Sequence, residues 1–288
     1  MGLVSAKDIV TNALKGGYAV GHFDIHNLEW AQAVLTAAEE EKSPVILGVT
    51  EEAIRYFGGF YVAVNLVKAL VKELNINVPV ALHLDHGSSF ESCMQAVDSG
   101  FTSVMIDASH LSLEENIKIT KQVSDYAHQH DASVEAEVGS IGGTEGGVEQ
   151  TGNPVYAARE DCEQLVRETG IDLLAPALGS VHGLYQGVPK LGFNEMKEIS
   201  VGTKIPLVLH GSSGLPVEHI RKAIAMGTAK INVNADNHLA FTKAVRDELN
   251  KNPQLYNANQ YIALGRAALK KAIVEKMRLF GSSSKVNN

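Results

Sequence analysis

Eight short apolar runs recur along this chain with helix-like stretches between them, and that alternation limits its fold more than any other feature. The runs are YAVGHFDI (18–25), PVILGV (44–49), VPVALHLD (78–85), SVMIDAS (103–109), SVEAEVG (133–139), IDLLAPAL (171–178), PLVLHG (206–211) and AKINVNA (229–235). Between them, Leu28 to Glu41, Ile54 to Leu74, Ser89 to Ser99, Leu113 to His130, Asp161 to Thr169, Phe193 to Ser200 and Val217 to Met226 carry the apolar period of amphipathic helices. Ser88, Ser112 and Pro216 stand as helix-entry residues. Elements alternating in this way pair in parallel through right-handed crossovers, and eight strands close a barrel. The expected fold is α/β, a (β/α)8 TIM barrel with additional C-terminal helices; a doubly wound sheet is the second choice.

With 288 residues, 45% of them hydrophobic, the chain can bury a full core. No linker rich in Gly, Ser or Pro divides it, so 1–288 reads as a single domain. Two stretches look irregular, Gly139 to Asn153, with the glycine content of a mobile loop, and Val181 to Gly192. From about Phe241 onward the pattern is helical and left over once a barrel closes, suited to capping the barrel or to a subunit contact. A formal net charge of −8 argues against a nucleic-acid surface but allows a local anion pocket. Cys93 and Cys162, far apart in helix-like stretches, suggest neither a disulfide framework nor a Cys-rich metal site, which fits a reducing cytoplasm. MGLVSAKDIV lacks a basic run followed by a long apolar segment, although it formally matches a myristoylation pattern, and no run approaches eighteen apolar residues. The expectation is a soluble, cytoplasmic protein with no membrane partner.

Three histidines, His86, His182 and His210, each close a strand-like run and each precede glycine, in LHLDHG, LGSVHG and LVLHG. A single histidine at a strand end is more often structural. Three with the same placement are what a zinc-like divalent ion needs from a protein that leaves one coordination position open. If they converge, the chain is a metalloenzyme. In HLDHG the two-residue period points His83 and Asp85 inward with His86 at the turn. Asp85 is then placed either to move protons beside the ion or to anchor a ligand or cap a helix.

Glu135 and Glu137 share one face of the fifth strand, and two carboxylates inside a barrel must be paired, protonated or liganded. Asp107 joins them at the end of the fourth strand. They read equally as second metal ligands or ligand orienters and as salt-bridge partners of Lys230. Glu145, in the glycine-rich stretch, is either a solvated group or a base brought in on closure. HGSSG (210–214) and NVNAD (232–236) follow the seventh and eighth strands, where barrels hold phosphate. Their backbone amides, with the hydroxyls of Ser212 and Ser213, form either an anion nest or a tight turn and helix cap.

Taken together, YAVGHFDIHN, SPVILGV, HLDHGSS, GFTSVMIDASH, SVEAEVGSIGG, APALGSVHGLY, PLVLHGSSGLP and AKINVNAD resemble the class II, zinc-dependent aldolases that cleave ketose bisphosphates. The likeness is nearest to the compact bacterial fructose-1,6-bisphosphate aldolases and runs to the FGSS near the end. It implies that His86, His182 and His210 hold catalytic zinc (Zn2+), with Asp107 and Glu137 at an alternative or second divalent position. It implies that Asp85 exchanges a proton with the C4 hydroxyl and Glu145 with C3 of dihydroxyacetone phosphate. Gly183, Gly211 and Ser213, with Ser212 and Ala235 beside them, match the phosphate pocket, where a monovalent cation (Na+ or K+) often binds. Asn232 matches the contact to the enediolate oxygens, and Asn234 faces the distal hydroxyls.

Cleaving a carbon–carbon bond next to a ketone leaves an enediolate that a Schiff-base lysine or a Lewis-acid metal must stabilise. Lys230 alone reads as a strand-end lysine, so the metal route is preferred. The implied reaction is the glycolytic cleavage of fructose 1,6-bisphosphate, a small phosphorylated ketose, in a homodimer or homotetramer. Tagatose 1,6-bisphosphate and 6-phospho-5-dehydro-2-deoxygluconate are the alternative substrates. A metal-dependent barrel hydrolase is the reading from another class, but it gives the phosphate nest no task. Three departures stand out: Thr144-Glu145-Gly146 replaces the family's acidic pair, Ser212 stands where many relatives have Gly or Ala, and Asn234 occupies a position that varies among Asp, Asn and Ala. The family often takes an arginine from a neighbouring subunit for the second phosphate, and Arg266 lies near that motif.

Overall fold

The structure is a computed structural model that describes residues 2–145, 148–150, 155–183, 185 and 189–286, with 143–145 and 148–150 described by backbone alone. In chain order the strands are β1 (Val20–Asp24), β2 (Val45–Thr50), β3 (Val80–Gly87), β4 (Ser103–Ile106), β5 (Ser133–Val138), β6 (Gly142–Glu145), β7 (Val148–Gln150), β8 (Leu173–Pro176), β9 (Val181–His182), β10 (Leu207–Leu209) and β11 (Thr228–Val233). The helices are α1 (Ala6–Gly16), α2 (Leu28–Glu41), α3 (Glu51–Phe57), α4 (Phe60–Glu73), α5 (Phe90–Ser99), α6 (Leu113–His128), α7 (Arg159–Thr169), α8 (Phe193–Thr203), α9 (Val217–Ala225), α10 (Ala235–Lys251) and α11 (Ala258–Phe280). The eight strands expected from the apolar runs close a parallel barrel in the order β1-β11-β10-β8-β5-β4-β3-β2.

Strand alternation sorts the side chains into two separate apolar layers. Phe23, Leu47, Leu82, Leu84, Val104, Val134, Leu174 and Ile231 pack outward in one core with the helices. Val20, Ile46, Ala81, Leu173, Ala175, Val208 and Ala229 form the other layer, and Ala6, Ile9, Val10 and Ala13 of α1 pack against it. Helix α1 touches β1, β3, β5 and β11 at once, so it plugs the floor of the barrel. This helix was absent from the sequence reading. Lys7 pins it through a 2.8 Å ion pair to Asp172, whose carboxylate also accepts from Val134 N and bonds His128. Above the apolar floor the barrel interior turns polar, with His22, His83, Glu135 and Lys230 all without solvent exposure.

Several expectations need correcting. The stretch Ile54 to Leu74 is two helices, α3 and α4, because Gly58 and Gly59 adopt φ of 95° and 132°, outside any helix. Ser89, not Ser88, caps α5, while Ser88 bonds Glu51. Ser112 does cap α6, in a reciprocal capping box with Glu115. The two irregular stretches supply a small sheet in which β6 pairs antiparallel with β7 and parallel with β9. Gly146, Gly147 and 151–153, within the first of these stretches, lie outside the described residues. The C-terminal segment starts earlier than Phe241, with α10 at Ala235, and it is no leftover. Leu269, Ile273, Met277 and Phe280 of α11 belong to the main core, where α11 packs against α2, α9 and β1 as part of the outer ring. Both cysteines are free and buried, and among the described residues no single helix is long and apolar enough to cross a membrane.

Candidate active site

Glycine after His86 and His210 is a matter of clearance, and after His182 it is one of conformation, with Gly183 at φ +89°. His86, the penultimate residue of β3, has φ +49°, and a Cβ on Gly87 would stand 2.7 Å from the Met105 carbonyl oxygen. At Gly211, φ is +61° and a Cβ would lie 2.2 Å from the Val181 carbonyl oxygen. Only glycine lets the chain pass this closely while it turns. The turns bring the three rings together: centroids lie 5.3 Å apart for His86–His182, 4.8 Å for His86–His210 and 5.8 Å for His182–His210.

Carboxylates orient two of these rings. His86 Nδ1 is 2.7 Å from Asp107 Oδ2, and Asp107 Oδ1 accepts from the Ser109 backbone and hydroxyl. His210 Nε2 is 2.9 Å from Glu135 Oε1, and Glu135 Oε2 lies 2.7 Å from Lys230 Nζ. Burial alone would raise the Glu135 carboxyl, but Lys230 and the His210 N–H outweigh it and hold the group well below its ordinary range. Asp107 is likewise held down, with burial outweighed by His86 and Ser109. Burial also lowers His210, which stays neutral. On the sides away from these carboxylates, His210 Nδ1 and His86 Nε2 face one another 3.1 Å apart. Two imidazole nitrogens held that close can both ligate one cation.

One nitrogen from each of His86, His182 and His210 lies within 4.8 Å of the others, so the donor set fits a divalent ion with one position left for a ligand. His86, Asp107 and Glu137 form a second group within the same limit. Glu137 Oε2 is 4.0 Å from His210 Nδ1. Of the three carboxylates weighed as partners of Lys230, Glu135 makes the bond. Lys230 itself has no exposure and is absent from the cavity lining, unsuited to reach a ketone.

Asp85 is fully buried beside this cluster. Its Oδ1 accepts from Asn232 Nδ2 at 3.3 Å and lies 3.5 Å from His22 Nε2 and 3.8 Å from His83 Nε2. Its Oδ2 is 4.0 Å from His86 Nε2. Desolvation drives both His22 and His83 far below the usual imidazole range, with Lys230 adding to it, so they sit neutral against the carboxylate.

A cavity of about 700 Å³ opens at the C-terminal end of the barrel. His182, Gly183, Gly211, Ser212, Ser213, Asn232, Asn234 and Ala235 line it, so all the candidates for seating phosphate and substrate oxygens reach one space, while Asp85, His86 and His210 are not among its lining residues. Ser212 Oγ donates to Asn232 O at 2.5 Å, which leaves its proton unable to serve an anion. Ser213 Oγ instead accepts from Asp236 N at 3.2 Å and keeps its proton to give. Tyr185 donates to Gly211 O at 2.7 Å and accepts from Val181 N at 3.3 Å, tying the β9 strand to this turn. The Glu145 side chain lies outside the described residues; its backbone ends β6. Arg266 bonds Gln32 and does not line the cavity.

Sequence reasoning missed the opposite wall, where Asp24, His26, Trp30, Thr50, Tyr56 and His238 line the cavity. Asp24 and Thr50 end β1 and β2 and share the strand-end signal that exposed the histidines. His238 sits a turn inside α10, and nothing local marks it.

Comparison with known proteins agrees with this geometry. The family model for class-II fructose-bisphosphate aldolase matches residues 4–285. Fructose-bisphosphate aldolase of Geobacillus stearothermophilus is 60% identical over 285 residues, 99% of each chain, and that of Staphylococcus aureus is 54% identical over the same share. Among solved structures, the YdjI aldolase of Escherichia coli K12 superposes with a TM-score of 0.86 at 32% identity, covering 99% of this chain and 100% of that one. Fructose-bisphosphate aldolase of Campylobacter jejuni shares the fold at a TM-score of 0.85 and 23% identity, covering 99% and 97%. The chain belongs to the class-II fructose-bisphosphate aldolase family.

Proposed function

We propose that the chain reversibly cleaves fructose 1,6-bisphosphate to dihydroxyacetone phosphate and glyceraldehyde 3-phosphate, as a cytoplasmic zinc enzyme of glycolysis whose residues 1–288 act as one domain within a homo-oligomer. The observation that carries this reading is the 3.1 Å approach of His86 Nε2 and His210 Nδ1, each ring braced from behind by a carboxylate. His86, His182 and His210 hold the ion, with Asp107 and Glu137 as the alternative position. A divalent ion there supplies the positive charge that the ketone oxygens need as C3 becomes electron-rich.

The chain's own groups do the rest. Gly183, Gly211, Ser213 and Ala235 seat the ketone-side phosphate with backbone amides and one free hydroxyl, a setting in which Na+ or K+ also fits. Ser212 shapes that turn from below through its bond to Asn232 O. Asn232 reaches the oxygens at the reacting carbons and, through Nδ2, steadies Asp85. In cleavage, Asp85 takes the proton of the C4 hydroxyl while the C3–C4 bond breaks, its electron pair stays on C3, and the C4 oxygen becomes the aldehyde carbonyl. Glu145 then delivers a proton to C3. Asn234 contacts the hydroxyls beyond C4.

A coupled assay on fructose 1,6-bisphosphate, tagatose 1,6-bisphosphate and 6-phospho-5-dehydro-2-deoxygluconate, before and after chelation, tests the proposal. Fructose 1,6-bisphosphate should have the highest kcat/KM, and turnover should vanish with chelator and return with zinc. Full activity after all metal is removed ends the metal assignment, and a higher kcat/KM on another ketose replaces the substrate.

A further inference from the structure

At the cavity rim, His26 Nε2 lies 3.3 Å from Asn234 Oδ1, across 208 positions of sequence. Asparagine at the N-cap of a helix ordinarily turns its side chain onto its own first-turn amides. Asn234 occupies that position for α10 with φ −128° and ψ −62°, yet makes no such cap. Ser213 Oγ takes over, accepting from Asp236 N at 3.2 Å. The Asn234 side chain is thereby released from its local task and held by a residue from the far end of the chain.

The ring that holds it is itself fixed. His26 packs edge-on to Trp30 with centroids 4.7 Å apart and lies tilted against His238 at 4.6 Å. Burial, then the neighbouring His238 imidazole, push the His26 pKa down to about 4, so the ring is neutral with a single N–H to place. An amide oxygen can only accept, so Nε2 carries the hydrogen and Oδ1 receives it. That orientation turns the Asn234 NH2 away from His26, and no described residue accepts from it, while both residues line the cavity.

We propose that His26 is a positioning residue for Asn234, locking its amide so that the cavity presents an N–H donor there and selects ligands that bring an acceptor oxygen, a sugar hydroxyl or phosphate oxygen, to that point. This rests on the reading of the cavity as a site for phosphorylated ketoses. Were the amide free to turn over, the same residue would offer donor or acceptor indifferently.

The test is a double-mutant cycle in steady-state kinetics on fructose 1,6-bisphosphate. His26→Phe keeps a ring against Trp30 and His238 but removes the N–H; KM should rise about tenfold, the effect of one lost hydrogen bond, with kcat within about twofold. His26→Gln, which restores a donor, should recover most of the loss. In an Asn234→Ala background, His26→Phe should change KM by less than about twofold. An equal rise in both backgrounds, or none with Asn234 present, overturns the proposal. If the wild-type protein does not turn over the bisphosphate, the aldolase reading falls and the imidazole 15N spectrum of His26 still decides this one. An Nε2–H ring at pH 7 whose shift moves with Asn234→Ala supports the lock, and an Nδ1–H ring or an indifferent shift refutes it.

Discussion

Glu135 Oε1 accepts a hydrogen bond from His210 Nε2 across 2.9 Å at a depth where neither side chain meets solvent. The same carboxylate balances the ammonium of Lys230 at 2.7 Å, so one buried charge both orients a metal-facing imidazole and neutralises a lysine.

Glu135→Gln should therefore act twice. Metal affinity should fall about 10- to 100-fold because the imidazole loses its ionic brace. Stability should drop by about 3–5 kcal/mol because Lys230 is left buried without a counter-charge. Metal titration and denaturant unfolding read the two effects separately, and an unchanged metal affinity would show that the bond to His210 is incidental.

His182 lies on the short β9 strand at the cavity wall, apart from the barrel strands that carry the core. His182→Ala should reduce turnover by about a thousandfold or more, the several kcal/mol that a Lewis acid supplies. Bound metal should fall below one per chain while the far-UV circular dichroism stays that of the parent. Retained activity with retained metal would remove His182 from the ligand set.

The barrel floor predicts the opposite pattern. Ile9, 6% exposed, packs from α1 against the inner apolar layer. Ile9→Ala should cost about 2–5 kcal/mol through lost burial and the cavity left behind, with kcat nearly unchanged because the reacting end lies above. Urea unfolding alongside the kinetic assay checks both halves.

Acid should destabilise the fold earlier than surface carboxylates would. His22, His83 and His26 all have folded pKa values below their unfolded value near 6.5, chiefly through burial. Below that pH the unfolded chain takes up protons that the folded chain refuses, so stability is full above about pH 7 and declines as pH falls through 6.5. Each refused proton steepens the decline by about 1.4 kcal/mol per pH unit. Glu135 and Asp107, with depressed carboxyl values, add loss in the same direction below about pH 4. Unfolding free energies measured from pH 8 to 5 should slope accordingly, and His22→Gln should flatten the curve. A flat wild-type profile would contradict the assignment of these rings as neutral.

The apolar alternation of the eight runs determined the barrel, and the repeated His-Gly strand endings determined where three imidazoles would meet. Both are local signals, periods and turns written within a few residues, and they survive without knowledge of the rest of the fold. The inward placement of His83, Asp85, Glu135 and Glu137 was legible for the same reason, since a strand's two faces alternate strictly. Only the tertiary structure decided which polar groups pair inside. Val20 aligns with Lys230 only because β1 closes against β11, and that closure, with the registers of β10, β8 and β5, decides that Lys230 meets Glu135 and not Glu137 or Asp107. Helix α1 became a floor plug, and His26 met Asn234, through the same closure of distant segments. Hydrophobic period reports how much of a residue is buried; the partner of a buried polar atom is set by the registers of strands far apart in the chain, and no local pattern carries that information.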